Sequence, residues 1–147
     1  MIPATKNCTS FKTRKLTRLL ARHYDAEFAK LGIKSTQFTL LAHVIRYEPV
    51  SAGALAQRMG IDASTLTRNI NLLVHSGWLE QSIGEDARSR NITTTSEGRK
   101  FYEVADLHWN NAQEKINALL GIERVTALTK LIDECLDLLK EEDKGVI

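Results

Sequence analysis

The sequence is short of the features that mark most enzymes and most secreted proteins. Its two cysteines, Cys8 and Cys135, lie near opposite ends of 147 residues, which is no disulfide framework, so both are expected as thiols. The four histidines, His23, His43, His75 and His108, have no metal-ligand spacing among themselves or with the cysteines, and no metal is expected. No GxGxxG or GxxxxGK loop is present to cradle a phosphate, and no GxSxG elbow to carry a nucleophile. Catalysis therefore has no foothold, and neither an enzyme nor a cofactor is expected. No apolar run approaches the roughly 18 residues of a spanning helix, and MIPATKNCTS lacks the apolar centre of a signal peptide. A cytoplasmic protein without membrane contact is the expectation. A net charge of +2 and a pI near 8.6 neither demand nor exclude nucleic acid.

What is present is organised around residues 51–77, SAGALAQRMG-IDAS-TLTRNINLLVHSG. Two short helical patterns flank a tight turn, as in a helix-turn-helix. Ser51 can cap the first helix, Leu55, Ala56 and Met59 form its buried side, and Gly60 can take the left-handed backbone that ends it. Asp62 can cap the second, where Leu66, Ile70, Leu73 and Val74 recur at helical spacing. Its opposite face carries Ser64, Thr65, Arg68, Asn69 and Asn71, with no carboxylate after Asp62 to repel phosphate. Such a face suits a DNA major groove. Downstream, Trp78–Ser82 and Arg90–Thr94 read as two strands joined by a polar turn, a hairpin placed as a wing.

The flanks read as helices. Residues 1–10 are expected to be extended, with Pro3 discouraging a helix. From Phe11, Leu16, Leu19, Leu20, His23 and Phe28 trace a helix to Gly32. Ser35 or Thr36 can cap the next, with Phe38, Leu41, Ala42 and Ile45 as its core stripe before Pro49. Thr95 or Ser96 can cap a long helix with Phe101, Val104, Ala105, His108, Ala112, Ile116 and Leu119 inward, broken at Gly121. The last helix, from about Ile122 to Lys140, carries Val125, Leu128, Leu131, Ile132, Cys135, Leu138 and Leu139, more apolar surface than a small winged helix needs to bury. Cys135 is expected to pack there as a small hydrophobe. Residues 1–30 hold seven Lys/Arg against two Asp/Glu, and residues 101–147 hold five against ten. The oppositely charged ends are therefore expected to meet, within one subunit or between two.

Asp86, Arg88, Ile92, Thr95 and Gly98 follow the wing pattern Asp-x-Arg, strand, Leu-Thr-x-x-Gly, with Thr94 standing where Leu is usual. With Ser64-Thr65-Leu66-Thr67-Arg68 and the exit Ser76-Gly77-Trp78-Leu79, they resemble the MarR family of winged-helix transcriptional regulators over nearly the whole chain. The resemblance implies a mainly α fold with a small β-hairpin wing, an α+β winged helix in one domain spanning 1–147. Within it, 36–95 would be the winged helix-turn-helix region, and 8–34 and 100–143 the dimerisation helices. It implies a homodimer on double-stranded DNA with a pseudo-palindromic operator, its half-sites about one turn apart. The protein would be a sequence-specific repressor released by a small aromatic or phenolic effector. Arg68 would contact a base edge, supported by Ser64, Thr65 and Asn71, with Thr67 on phosphate. Arg88 or Arg90 would enter the minor groove, and Asp86 would hold an arginine by an ion pair. His23 and His108 are candidate ligand-pocket residues. Some members of that family sense oxidants through an early cysteine. Cys8, among Lys6, Lys12, Arg14 and Lys15, is the candidate for such a redox alternative. A protein-interaction winged helix without DNA is the alternative of another class.

Overall fold

In the computed structural model, local capping chemistry delimits most of the helices. The structure describes residues 4–84 and 90–145, with side chains over 6–84 and 90–141. A short α1 (Ala4–Asn7) precedes α2 (Thr9–Phe28). Residues 4–7 and 9–10 are thus helical rather than extended, because a proline constrains the residue before it and is compatible with a first helical turn after it. Cys8 divides the two helices and caps α2, its Sγ accepting from the Phe11 N–H at 3.4 Å.

A 3-10 turn at Ala29–Leu31 and left-handed Gly32 close this helix. Next, α3 (Ser35–Tyr47) is capped at Lys34, not at Ser35 or Thr36. Gln37 Oε1 accepts from Lys34 N–H, and the Ser35 N–H donates to Asp25 of α2, both at 2.8 Å. A side chain from the preceding helix therefore does the work expected of a local hydroxyl. Then β1 (Val50–Ser51) leads into α4 (Ala52–Met59), capped by Ser51 and ended by Gly60 at φ 64. α5 (Ala63–His75) is capped by Asp62.

The hairpin strands are β2 (Leu79–Ile83) and β3 (Arg90–Thr94), and the antiparallel sheet has the order β1-β3-β2. Sequence pattern misses β1, since two residues show no periodicity, and starts β2 one residue early. Trp78 instead stacks on Phe101 with centroids 3.8 Å apart. α6 (Ser96–Leu120) begins at Thr95, whose hydroxyl accepts from Gly98 N–H at 3.0 Å and donates to the Gly77 carbonyl at 2.6 Å. α7 (Ile122–Gly145) follows Gly121, whose φ is 86.

Two cores result. Leu40, Leu41, Val44, Leu55, Leu66, Ile70, Leu73, Leu79 and Ile92 bury the helix-turn-helix against α3 and the sheet. Phe28, Ile33, Phe38 and Ala105 bury α2 against α3 and α6, and Trp78, Phe101 and Tyr102 touch both clusters. Leu40 and Val44 take buried positions in α3, whereas Ala42 and Ile45 are only half-buried. At the wing base, Thr94 N–H donates to Glu48 Oε2 at 2.7 Å, and Glu48 ion-pairs with Arg99 of α6. The threonine found where the family has leucine is thus buried beside a polar clamp, although its own Oγ1 has no hydrogen-bond partner among the described residues.

The last helix departs most from expectation within a single chain. None of its described residues is buried: Leu131 is 58%, Leu138 67% and Leu139 61% exposed, and Cys135 is exposed rather than packed. Val104, Leu107 and Leu119 of α6 are exposed as well. Among the described residues no ion pair joins Lys12, Arg14 or Lys15 to α7.

Candidate nucleic-acid interface

The outer face of α5 follows from its inner one. Burying Leu66, Ile70 and Leu73 turns Ser64, Thr67, Arg68 and Asn71 outward, and all four are exposed. Asp62 sets the start of that face. Its carboxylate accepts from Ser64 Oγ at 2.6 Å, Thr65 N–H at 2.8 Å and Thr65 Oγ1 at 2.7 Å. The Ser64 bond first, then the two from Thr65, hold the Asp62 carboxyl far below the usual carboxylate range. These bonds commit both hydroxyl protons to the cap, leaving Ser64 and Thr65 only oxygen lone pairs for another partner. Thr65 and Asn69 are half-buried against a cavity of about 300 Å³ shared with α3 and the helix-turn-helix turn.

A second feature lies between α5 and the wing. Thr67, Asn71, Gln81 and Arg90, with Ser51, Gly53 and Ile92, line a groove of about 630 Å³. Arg90 donates from Nη1 to Gln81 Oε1 at 3.4 Å. The structure therefore brings Thr67, Asn71 and Arg90 together in one groove, while Arg68 and Ser64 lie on the helix face outside it. Asp86 and Arg88 fall outside the described residues. Gln81 was missed by sequence reasoning, although the alternation Leu79, Gln81, Ile83 would have placed it on the inner side of the strand. The contribution of Ser51 and Gly53 had no such signal.

The MarR family model matches residues 31–89, which take in α3, the helix-turn-helix and β2. The HTH-type transcriptional regulator PecS of Dickeya dadantii is 32% identical over 105 residues, spanning 68% of this chain and 63% of that protein. The crystal structure of the Mycobacterium tuberculosis transcriptional regulator MosR in complex with DNA is 29% identical, covering 88% of this chain and 98% of that one at a TM-score of 0.71. Residues 31–89 thus carry the winged helix of the MarR family. The chain has the winged-helix fold of these transcriptional regulators. A cysteine-to-serine mutant of Escherichia coli MarR complexed with operator DNA has the same fold, with a TM-score of 0.81 at 20% identity over 92% of this chain and 99% of that one.

The remaining candidates sit away from the α5 face. His23 is exposed on α2 rather than on its apolar side. His108 of α6 turns its Nδ1 to Glu27 Oε2 at 3.0 Å. Glu27, which the sequence reading did not single out, is only 3% exposed and also meets Lys30 Nζ at 3.0 Å and Lys115 Nζ at 3.1 Å. Hydrogen bonds from Lys30, His108 and Lys115 hold its carboxyl down at about 2, outweighing the opposing effect of burial. His108 is thereby engaged in tying α2 to α6. Cys8 is half-buried, with its sulfur on the α2 cap.

Proposed function

We propose that this protein is a homodimeric, sequence-specific DNA-binding repressor that leaves a pseudo-palindromic operator when it binds a small aromatic or phenolic ligand. The observation that carries the reading is the outer face of α5. Thr67, Arg68 and Asn71 stand exposed there beside the wing, and Asp62, the one carboxylate near the face among the described residues, is consumed in capping. Residues 36–95 are the DNA-reading region, with α5 in a major groove and the hairpin toward the flanking minor groove. Residues 8–34 and 100–143 build the dimer, where a second subunit covers the apolar sides of α6 and α7 and brings acidic α7 to basic α2. The cytoplasm, with its DNA, is where such a protein works.

Arg68 is the base-reading residue, because a guanidinium fork one turn into the helix can span the two acceptors of a guanine edge. Arg68→Ala is expected to cost about 1–3 kcal/mol per half-site and to relax preference at one base position in each. Selection of bound sites from a random DNA pool, followed by titration of wild type and variant, measures both. Leu66, fully buried, serves as control, since Leu66→Ala lowers melting temperature together with binding. A folded Arg68→Ala dimer with unchanged affinity and base preference would leave α5 misassigned.

For the effector, the supporting feature is a cavity of about 300 Å³ between the DNA-reading region and α6, lined by His43, Arg46, Tyr47 and Tyr102. Its size suits a single aromatic ring, and Arg46 offers a phenolate or carboxylate a charge-assisted bond worth about 1.5–3 kcal/mol. Arg46→Ala is expected to raise the concentration of a hydroxybenzoate needed to release operator at least tenfold, leaving operator affinity without ligand unchanged. Release at the wild-type concentration would remove this cavity from consideration.

A further inference from the structure

We propose that Arg90, held by Gln81, forms with Thr67 and Asn71 a subsite for a DNA backbone phosphate at the seam between α5 and the wing. Gln81 is its positioning residue, and the proposal rests on the DNA-binding reading above. The strand register carries the first step. Leu79 lies opposite Thr94, Gln81 opposite Ile92 and Ile83 opposite Arg90, and directly opposed residues share one face of a hairpin. Leu79, Ile92 and Thr94 are buried, so this is the face turned to the helices. Arg90 therefore projects from the inner side of the wing, over the groove it lines with Thr67 and Asn71. That location separates it from a cation carried outward into a minor groove.

The chemistry of the groove carries the second step. Among the described residues no carboxylate lines it, and Thr67, Asn71, Gln81 and Arg90 all bring hydrogen-bond donors. Gln81 engages Arg90 through one long bond of 3.4 Å. A guanidinium has five N–H groups, so this contact orients the side chain and leaves most of its donors available. It is also a neutral contact. A glutamate in that position would cancel the charge that draws an anion, whereas a glutamine aims the arginine and preserves it. Gly53 adds room on the far wall, where even a built-on Cβ would meet nothing within 4 Å. A compact anion surrounded by converging donors on both sides of the seam is what a phosphodiester would supply, and binding it would lock the wing at a fixed distance from α5.

The test measures binding of the full-length protein to its selected operator and to a scrambled duplex across a range of salt. Arg90→Gln is expected to weaken both complexes by a similar factor, about tenfold or more, and to flatten the slope of log affinity against log salt by about 0.9 per site, or about 1.8 for two subunits. Gln81→Glu, which keeps a partner for Arg90 but neutralises it, should flatten the slope as well. Gln81→Ala should weaken binding in part, and should add nothing when combined with Arg90→Gln. A merely structural glutamine would leave the slope alone. Loss confined to the selected operator, with the slope intact, would make Arg90 a base reader and overturn the proposal. Wild-type protein that binds no duplex would instead overturn the DNA-binding reading itself, while steep wild-type binding that Arg90→Gln leaves unaltered would sink this inference alone.

Discussion

Ending the chain before Leu136 is expected to turn the dimer into a monomer and to abolish operator binding. The residues removed include Leu136, Leu138 and Leu139, which are 50%, 67% and 61% exposed in the single chain. Leu131 and Ile132, 58% and 45% exposed, would lose the surface they face on the partner. Burying such residues is worth about 25 cal/mol per Å² of apolar area, which a monomer forgoes entirely. Contiguous exposed apolar surface of this extent on a soluble protein marks an interaction site. Because none of the described residues of α7 is fully buried in its own subunit, its loss should leave the winged helix folded. The effect then falls on binding through mass action, as two tethered half-site readers gain about 10²–10⁴-fold over one. Sedimentation and a mobility shift on the same preparation measure both consequences. Ile132→Glu offers a full-length counterpart, since a charge at an exposed position costs the monomer little but cannot be buried in an interface. A truncated protein that sediments as a stable dimer and still binds operator would refute the assignment of α6 and α7.

Gly98→Ala is expected to destabilise the fold by about 3 kcal/mol, within the upper range for overpacking. The glycine sits in the first turn of α6 and is buried. Its backbone is ordinary, so no conformational freedom is at stake. Space is. A Cβ there would collide with the Trp78 carbonyl oxygen and stand 2.9 Å from Thr94 Cγ2. Trp78 cannot yield freely, since its ring is stacked on Phe101 and its carbonyl accepts from Thr95 N–H at 3.0 Å. Helix propensity works the other way, favouring alanine by about 1 kcal/mol, and is outweighed. The melting temperature should fall by roughly 10 °C for a chain of this size. Operator binding should weaken with it, because Trp78 and Thr94 anchor the two ends of the wing. An unchanged melting temperature would mean that α6 can shift away from the wing base without cost.

Local and long-range determinants of structure divide along the whole chain. Ser51, Asp62 and Thr95 cap helices where their residue types and the following apolar spacing say they should, Gly32 and Gly60 end helices in left-handed backbone, and Gly121 ends one at positive φ. The apolar side of α5 is likewise visible in its spacing, and with it the polar face left outside. These features depend on groups no more than about four residues apart, so a single strand of sequence contains all the participants. The resemblance in the wing and recognition residues extended that reading to the family. It even singled out Gly98, though not the carbonyl that forbids a side chain there.

Tertiary structure alone decided what depends on distant partners. β1 exists because β3 lies alongside, pairing Val50 with Ile92. Lys34 becomes a cap because Asp25 reaches across from α2. Glu27 acquires His108 and Lys115 from a helix some 80 positions later, and this turns an unremarkable acidic residue into the buried tie between α2 and α6. The side of the wing that Arg90 occupies depends on strand register, where a slip of one residue would reverse it. Residue type and spacing specify which side chains a local segment can bury or cap, but a contact across the fold becomes determined only when packing has chosen the neighbour.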